Sequence, residues 1–310
     1  MCNTWQFPTR PEEEITSSDL ESLPRLQFCN ITGGEPFVRS DIADFVRIMS
    51  AKSKRVVIST NGYFTDKIVG LVREFPKTGV RVSIEGTAGT NDRIRGLKEG
   101  FERGVNTLNE LQKLGSTDVG FGITLSDDNI DDLMQLYELA EKMKGIEFAT
   151  ACVHNTYYFH KSDNKITRRD AFVAELEKLM TALLKSRRAK NWFRAYFNYG
   201  LLNRALGRKR LLPCRMGFDV FFIDPFGEVM PCNGMEMSMG NVRKEPFEAI
   251  WNGSRAREVR SAVDSCRKEC WMVGSAAPAM KRDIIKPIMW VVKNKVRLAF
   301  NGKIDTGLKP

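Results

Sequence analysis

Histidine is scarce in this chain. His154 and His160 are the only two in 310 residues, and neither a Ser-His-Asp set nor a P-loop accompanies them. Long apolar runs are missing too. No stretch of 18 apolar residues occurs and the start of the chain has no apolar h-region, which speaks against a membrane span or a secretory signal and makes the cytoplasm the expected location. There is no internal repeat and no low-complexity tract. No basic strand carries interleaved aromatic residues of the kind that stack bases, so a specific nucleic-acid partner is not expected.

What is present is enough apolar residue, 42%, to bury a real core in one large domain or one large and one small. The seven cysteines are unevenly spread. In a chain far larger than the small secreted domains that need disulfide staples, this fits metal ligation in a reducing compartment. Cysteine is therefore the residue to follow. The net charge of +10 gathers late, in Lys185-Ser186-Arg187-Arg188, Arg208-Lys209-Arg210 and the tail from Lys281 to Lys309. Such a balance favours anionic partners, although solvated helix faces account for it more often.

Between residues 26 and 150 short apolar runs alternate with helical segments. Strands are predicted at Leu26–Ile31, Val56–Ser59, Val80–Ile84, Val119–Leu125 and Ile146–Thr150, with helices at Ile42–Met49, around Asp66–Glu74, around Gly100–Leu114 and at Ile130–Met143. This alternation implies parallel βαβ units. Polar and glycine-containing turns recur at the strand C-terminal ends, where barrels and open α/β sheets place their sites. A helical run from Arg169 through Leu184 follows. Beyond Pro213 a hairpin is predicted, with strands Asp219–Asp224 and Glu228–Cys232 around a Pro225-Phe226-Gly227 turn.

Four polar segments close successive βα units. Gly33-Gly34-Glu35-Pro36 offers two glycines that let backbone approach a ligand and a carboxylate that can bind an ammonium. Ser59-Thr60-Asn61-Gly62, Ser83-Ile84-Glu85-Gly86 and Asn91-Asp92-Arg93-Ile94-Arg95-Gly96 follow in order. Helix capping or turn chemistry explains each one alone, but four in sequence suit a polar cofactor in a barrel mouth. A second constellation is Cys214-x17-Cys232-x33-Cys266-x3-Cys270. A hairpin between the first pair and helical spacing in the second let four thiolates converge on one metal centre. A zinc site on the same residues is the alternative. Cys29 and Cys152 lie in predicted strands and read as small core residues, and the two histidines as packed or hydrogen-bonded side chains.

Met1-Cys2-Asn3-Thr4-Trp5 and Thr32-Gly33-Gly34-Glu35-Pro36 together resemble the radical S-adenosylmethionine enzymes, whose signature C-x3-C-x-Φ-C precedes a strand ending in GGEP. Cys2 matches the third cysteine, and the other two have no counterpart in the sequence. This leaves either a chain truncated within the motif or one that has lost its catalytic cluster. Gly227 to Cys232, Met239-Gly240-Asn241-Val242 and Glu248 to Asn252 resemble the auxiliary-cluster domain called SPASM, in its shortened Twitch form.

The resemblance implies a partial parallel (β/α)6 TIM-like barrel in an α/β fold, with a small C-terminal cysteine-rich domain. The implied divisions are residues 1–165 for the barrel, 166–212 for a helical linker, 213–275 for the auxiliary domain and 276–310 for a basic amphipathic tail. The implied cofactors are S-adenosyl-L-methionine, a catalytic [4Fe-4S] cluster with Cys2 as ligand, and an auxiliary [4Fe-4S] cluster on Cys214, Cys232, Cys266 and Cys270. Gly33, Gly34, Glu35 and Pro36 would grip the methionine end. Ser59, Thr60, Asn61, Ser83 and Glu85 would line the rest, with Glu85 in place of the family's aspartate. The implied reaction is reductive cleavage to a 5'-deoxyadenosyl radical that takes hydrogen from a small-molecule or peptide substrate, with a donor such as flavodoxin or ferredoxin supplying the electron. Lacking two cluster cysteines, this chain is expected to be inactive by itself. The tail Ile284 to Phe300 is predicted either to lie on an anionic membrane surface or to dock on the protein's own core. The rival readings are a non-catalytic barrel and a zinc-stabilised binding protein with a basic surface.

Overall fold

Each apolar run of the first half forms a strand and each amphipathic run a helix. A computed structural model describes residues 1–307. In chain order the first half is β1 (Cys29–Ile31), α1 (Ile42–Lys52), β2 (Val56–Thr60), α2 (Thr65–Glu74), β3 (Gly79–Ser83), α3 (Ala88–Arg95), α4 (Gly100–Lys113), β4 (Val119–Leu125), α5 (Leu133–Lys142) and β5 (Glu147–Cys152). All neighbouring strands are parallel and the order is β1-β2-β3-β4-β5. A monotonic order with right-handed crossovers puts every connecting helix on one face, as in a barrel. The strands alternate accordingly. Ile58, Val80, Val82, Phe121, Ile123, Leu125 and Phe148 are buried against Ile68, Leu71, Leu108, Leu111, Leu133 and Leu136 of the helices. The opposite face carries small or polar residues, among them Ser59, Ser83, Gly122, Thr124, Ala149 and Ala151, and stays partly accessible.

Three expectations need correction. The sheet has five strands among the described residues, not six, because the chain after Val153 passes through a loop into helices and does not return to the sheet edge. Instead α6 (Arg169–Lys185) leads to α7 (Ala189–Ala205), and α7 covers the open edge, with Thr150 Oγ1 donating to Asn198 Oδ1 at 2.8 Å. The segment Asn91 to Gly96, read as a turn, belongs to α3, whose end is set by Gly96 at φ 64°. The hairpin is shorter than expected. It pairs β6 (Phe222–Ile223) with β7 (Glu228–Met230) and adds β8 (Gly240–Asn241). Asp219 is drawn off by Arg282, and Asp224 makes the turn by accepting from the Phe226 and Glu228 amides at 2.9 Å.

Helices α8 (Phe247–Asn252), α9 (Ser254–Asp264), α10 (Val273–Arg282) and α11 (Ile285–Asn301) complete the chain; residues 308–310 of the expected tail lie outside the described residues. One face of α11 docks on α6 and α7. There Trp290 stacks on Tyr199 with ring centroids 5.1 Å apart, and Val291 and Asn294 are buried.

Two features join the small domain to the large one. Ile15, Leu20 and Leu23 form a second core with Phe45 and Met49 of α1 and with Val229, Val242, Phe247 and Ile250. On the other side Trp271 is fully buried against α7 and donates Nε1–H to Phe197 O at 2.8 Å. Gly200 leaves the notch it enters, and a Cβ there would overlap the indole. Gly200→Ala is therefore expected to cost ~1–3 kcal/mol by overpacking and to lower the melting midpoint by several degrees. Gly70→Ala, where a Cβ meets nothing within 4 Å, should not. An unchanged midpoint for Gly200→Ala would mean that Trp271 does not seat there.

Candidate active site

The C-terminal ends of β1 and β2 are tied together by one carboxylate. Glu35 Oε1 accepts from Thr60 Oγ1 at 2.7 Å and from the Phe37 amide at 3.1 Å, and Oε2 accepts from the Asn61 amide at 2.7 Å. A carboxylate has about four acceptor sites, so one lone pair, on Oε2, is left for a ligand. In front of it, a Cβ added to Gly33 or Gly34 would meet nothing within 4 Å. Protein packing does not demand glycine at either position, and the space is there for a ligand to approach the backbone. Pro36 is buried behind them.

The other predicted residues divide. Ser59 lies on the accessible face and donates to Asn30 Oδ1 at 3.0 Å. Ser83 lies on the same face, in register with Gly122. Asn61 is partly buried, and its Oδ1 accepts from the Tyr63 amide at 2.8 Å. Thr60 is 2% exposed, with its hydroxyl committed to Glu35. Glu85 is likewise 2% exposed. It pairs with Arg95 at 3.3 Å and accepts from the Thr124 amide at 2.6 Å. Burial raises its pKa, against the Arg95 charge, the Thr124 bond and the amino group of Met1. Glu85 thus locks the ends of β3 and β4 to α3, a task for which its extra methylene suits it.

Sequence reasoning passed over Asn129. This amide is 1% exposed and donates to Glu85 O at 2.8 Å and Thr124 O at 3.0 Å, while its Oδ1 accepts from the Ser126 amide at 2.7 Å. Its only signal is the polar Ser126 to Asn129 turn.

Cys2 is exposed, with Sγ 3.0 Å from Thr4 Oγ1, and Thr4 in turn donates to Tyr158 O. The Asn3 amide donates to Phe159 O at 2.8 Å and Asn164 Nδ2 to Met1 O at 3.1 Å. The N-terminal residues therefore rest on the loop leaving β5. That loop faces the late cysteines on its other side. Burial, then Asp224 and Cys232, push the Tyr157 hydroxyl up to about 12.

The four late cysteines share one neighbourhood. Burial raises the Cys232 thiol, and Cys270 and Cys214 add to the rise. Burial raises Cys270 too, with Cys266 and Cys214 contributing. Among the described residues no three cysteine, histidine or carboxylate side chains stand close enough to hold one metal ion. Four thiolates are a ligand set for one [4Fe-4S] cluster and equally for one zinc ion. Arg210 secures this region, donating to Cys270 O, to Ser275 O at 2.8 Å and to Leu212 O at 2.6 Å. Nothing in the sequence singled it out beyond its place in a basic run.

Two stretches match known families. Residues 7–140 match the radical SAM superfamily, and residues 214–271 match SPASM, an iron-sulfur cluster-binding domain. The AdoMet-dependent heme synthase of Methanosarcina barkeri is 28% identical over 240 residues, covering 72% of this chain and 68% of that protein. The mycofactocin maturase MftC of Mycolicibacterium smegmatis is 25% identical over 317 residues, covering 86% and 76%. Among solved structures, native anSMEcpe with bound AdoMet superposes with a TM-score of 0.59 at 12% identity over 93% of this chain and 90% of that one, a likeness of fold.

Cys29 and Cys152 stand outside both thiol groups. Burial pushes each up to about 12, which leaves almost no thiolate at neutral pH. In the native, metal-free chain at pH 8, a thiol reagent is expected to label exposed Cys2 and Cys266 first, partly buried Cys29 slowly, and Cys152 only on unfolding. Mass spectrometry of the labelled peptides checks this, and early labelling of Cys152 would contradict its place in the core.

Proposed function

This chain belongs to the radical SAM superfamily, and we propose that it serves a reaction in which S-adenosylmethionine, bound at the strand ends of the barrel, is cleaved to take a hydrogen atom from a peptide or small molecule. When bound, a [4Fe-4S] cluster supplies the electron for that cleavage, drawn from a reductant such as flavodoxin or ferredoxin. The observation that carries this reading is the Glu35 corner. Its free lone pair can accept an ammonium, while Gly33 and Gly34 leave room beside it. Glu35 binds and orients the methionine amino group. Ser59, Asn61 and Ser83 offer the remaining polar contacts, and Thr60 and Glu85 hold the strand ends that present them. Cys214, Cys232, Cys266 and Cys270 hold the auxiliary cluster beside the loop that follows β5. Residues 1–165, 166–212, 213–275 and 276–310 divide this work as barrel, helical linker, auxiliary domain and tail, in a protein we place in the cytoplasm. No helix among the described residues is long and apolar enough to cross a membrane.

The catalytic cluster needs three thiolates and this sequence brings one, Cys2. Residues 1–310 alone are therefore expected to be inactive in cofactor cleavage while still loading the auxiliary site. After anaerobic reconstitution with iron and sulfide, about four irons per chain should bind and be lost in the Cys232→Ala, Cys270→Ala double variant. Zinc in the purified protein with negligible iron would instead favour a zinc-stabilised binding protein.

We further infer that α11 rests on an anionic membrane surface. Its docked face leaves Ile285, Ile288, Met289, Val292, Val296 and Phe300 exposed in one stripe, Met289 at 65% and Phe300 at 83%. Residues 281–307 hold seven lysines and arginines against two aspartates. An exposed apolar face bordered by cations suits acidic lipid. The chain should float with phosphatidylserine vesicles but not with phosphatidylcholine alone, and Met289→Glu with Val292→Glu should abolish flotation. Equal binding to both vesicles, or self-association through the same stripe, would reject the inference.

A further inference from the structure

A cavity of about 200 Å³ opens beside the exit of β5. Its lining includes Lys165, Arg169 and Arg204 and no aspartate or glutamate. Three carboxylates on the flanking loops are engaged elsewhere: Asp163 pairs with Lys161, Asp131 with Arg168, and Asp127 accepts from the Thr167 and Arg168 amides. Arg204 spends one bond on Val153 O, at 3.3 Å. Its guanidinium is also close enough to Cys270 to oppose the rise in that thiol's pKa, which puts the cavity between the end of β5 and the auxiliary thiols.

One wall carries an orphan. Nε2 of His154 is buried without a hydrogen-bond partner, and Nδ1 lies 3.4 Å from Cys152 O. The carbonyl oxygen can only accept, so this contact places the ring proton on Nδ1 and leaves Nε2 with a free lone pair that can take up a second proton beside an anion. The wall around it is rigid. Asn155 Nδ2 donates to Asn164 O at 3.0 Å, and the Asn164 amide returns a bond to Asn155 Oδ1 at 2.9 Å. Three cations with no carboxylate partner among the described residues line this single cavity, and such a lining suits a negative oxygen. A water occupies roughly 30 Å³ of liquid and whole-ligand pockets run from about 300 Å³ upwards, so the space fits one charged group rather than an entire cofactor.

We propose that this cavity is an oxyanion subsite, in which Lys165, Arg169 and Arg204 hold a carboxylate or phosphate carried by the substrate, with the His154 ring beside it. The proposal deepens the functional reading above in calling the ligand a substrate arm. The anion site itself needs neither iron nor S-adenosylmethionine, so either reading can fail without the other.

With only two histidines in the chain, imidazole nitrogen resonances report on it directly. The full chain, labelled with 15N-histidine, is titrated with inorganic phosphate, with succinate, and with sodium chloride at matched ionic strength. His154 should shift saturably with phosphate or succinate, the stronger of the two identifying a tetrahedral or a planar oxyanion, while exposed His160, stacked on Phe7 at 3.9 Å, stays still. Arg169 is exposed, so Arg169→Gln should leave the melting midpoint unchanged and weaken binding about tenfold through loss of a charge-assisted bond. Arg204→Gln should weaken it at least as much. Three results would overturn the proposal: no saturable movement of His154 with either anion, the same movement with chloride, or wild-type affinity in both variants.

Discussion

Trp271 in the notch of Gly200 decides how the two halves of this molecule face each other. The indole is one residue from Cys270, and the helix that receives it also seals β5 through Asn198. One rigid aromatic body therefore sets the distance from the sheet edge to the late thiols, and Arg210, stacked 4.9 Å from the same ring, holds the peptide carbonyl of Cys270. Aromatic burial of this kind contributes energy and position together. A cluster held there inherits its placement from α7 and not from the loops that carry its ligands.

The mouth of the barrel is organised on a different principle. Its carboxylates are largely consumed by the protein before any ligand arrives. Glu35 serves Thr60, Phe37 and Asn61, and Glu85 serves Arg95 and Thr124. What remains free is one acceptor site on Glu35, the hydroxyl face of Ser59 and Ser83, and empty volume at Gly33 and Gly34. Rigidity obtained in this way means that little has to reorganise when a ligand binds.

Strands and helices of the first half were readable because their periods differ. Glu147 to Cys152 and the second half of Val119 to Leu125 bury alternate residues, whereas Ile68, Leu71 and Val72 return at helical spacing. The Gly-Gly-Glu-Pro corner was readable because glycine pairs and a carboxylate carry chemistry in their type. The closure of the sheet by α7 was not. A glycine at position 200 reveals its purpose only when Trp271, far along the chain, fills the gap. Nor did sequence distinguish Ser59, which faces the accessible side, from Thr60, which faces Glu35, until the pleat assigned each to a face. Arg204 and Arg169 looked like any other surface charges in a basic chain, since the lack of carboxylates around them is a property of space.

The second core has a temporal side. Ile15, Leu20 and Leu23 wedge between α1 and the small sheet, Ile15 receives its amide partner from Pro225, and Arg243 reaches back to Glu13 O at 2.9 Å. These contacts join residues more than two hundred positions apart, and such contacts are made late in folding. Leu20 and Leu23 can settle on α1 early, but the cluster is complete only once the last third of the chain has been synthesised. The junction between the two domains is therefore the last part of the molecule to be finished, and the thiols of the small domain reach their final places only with it.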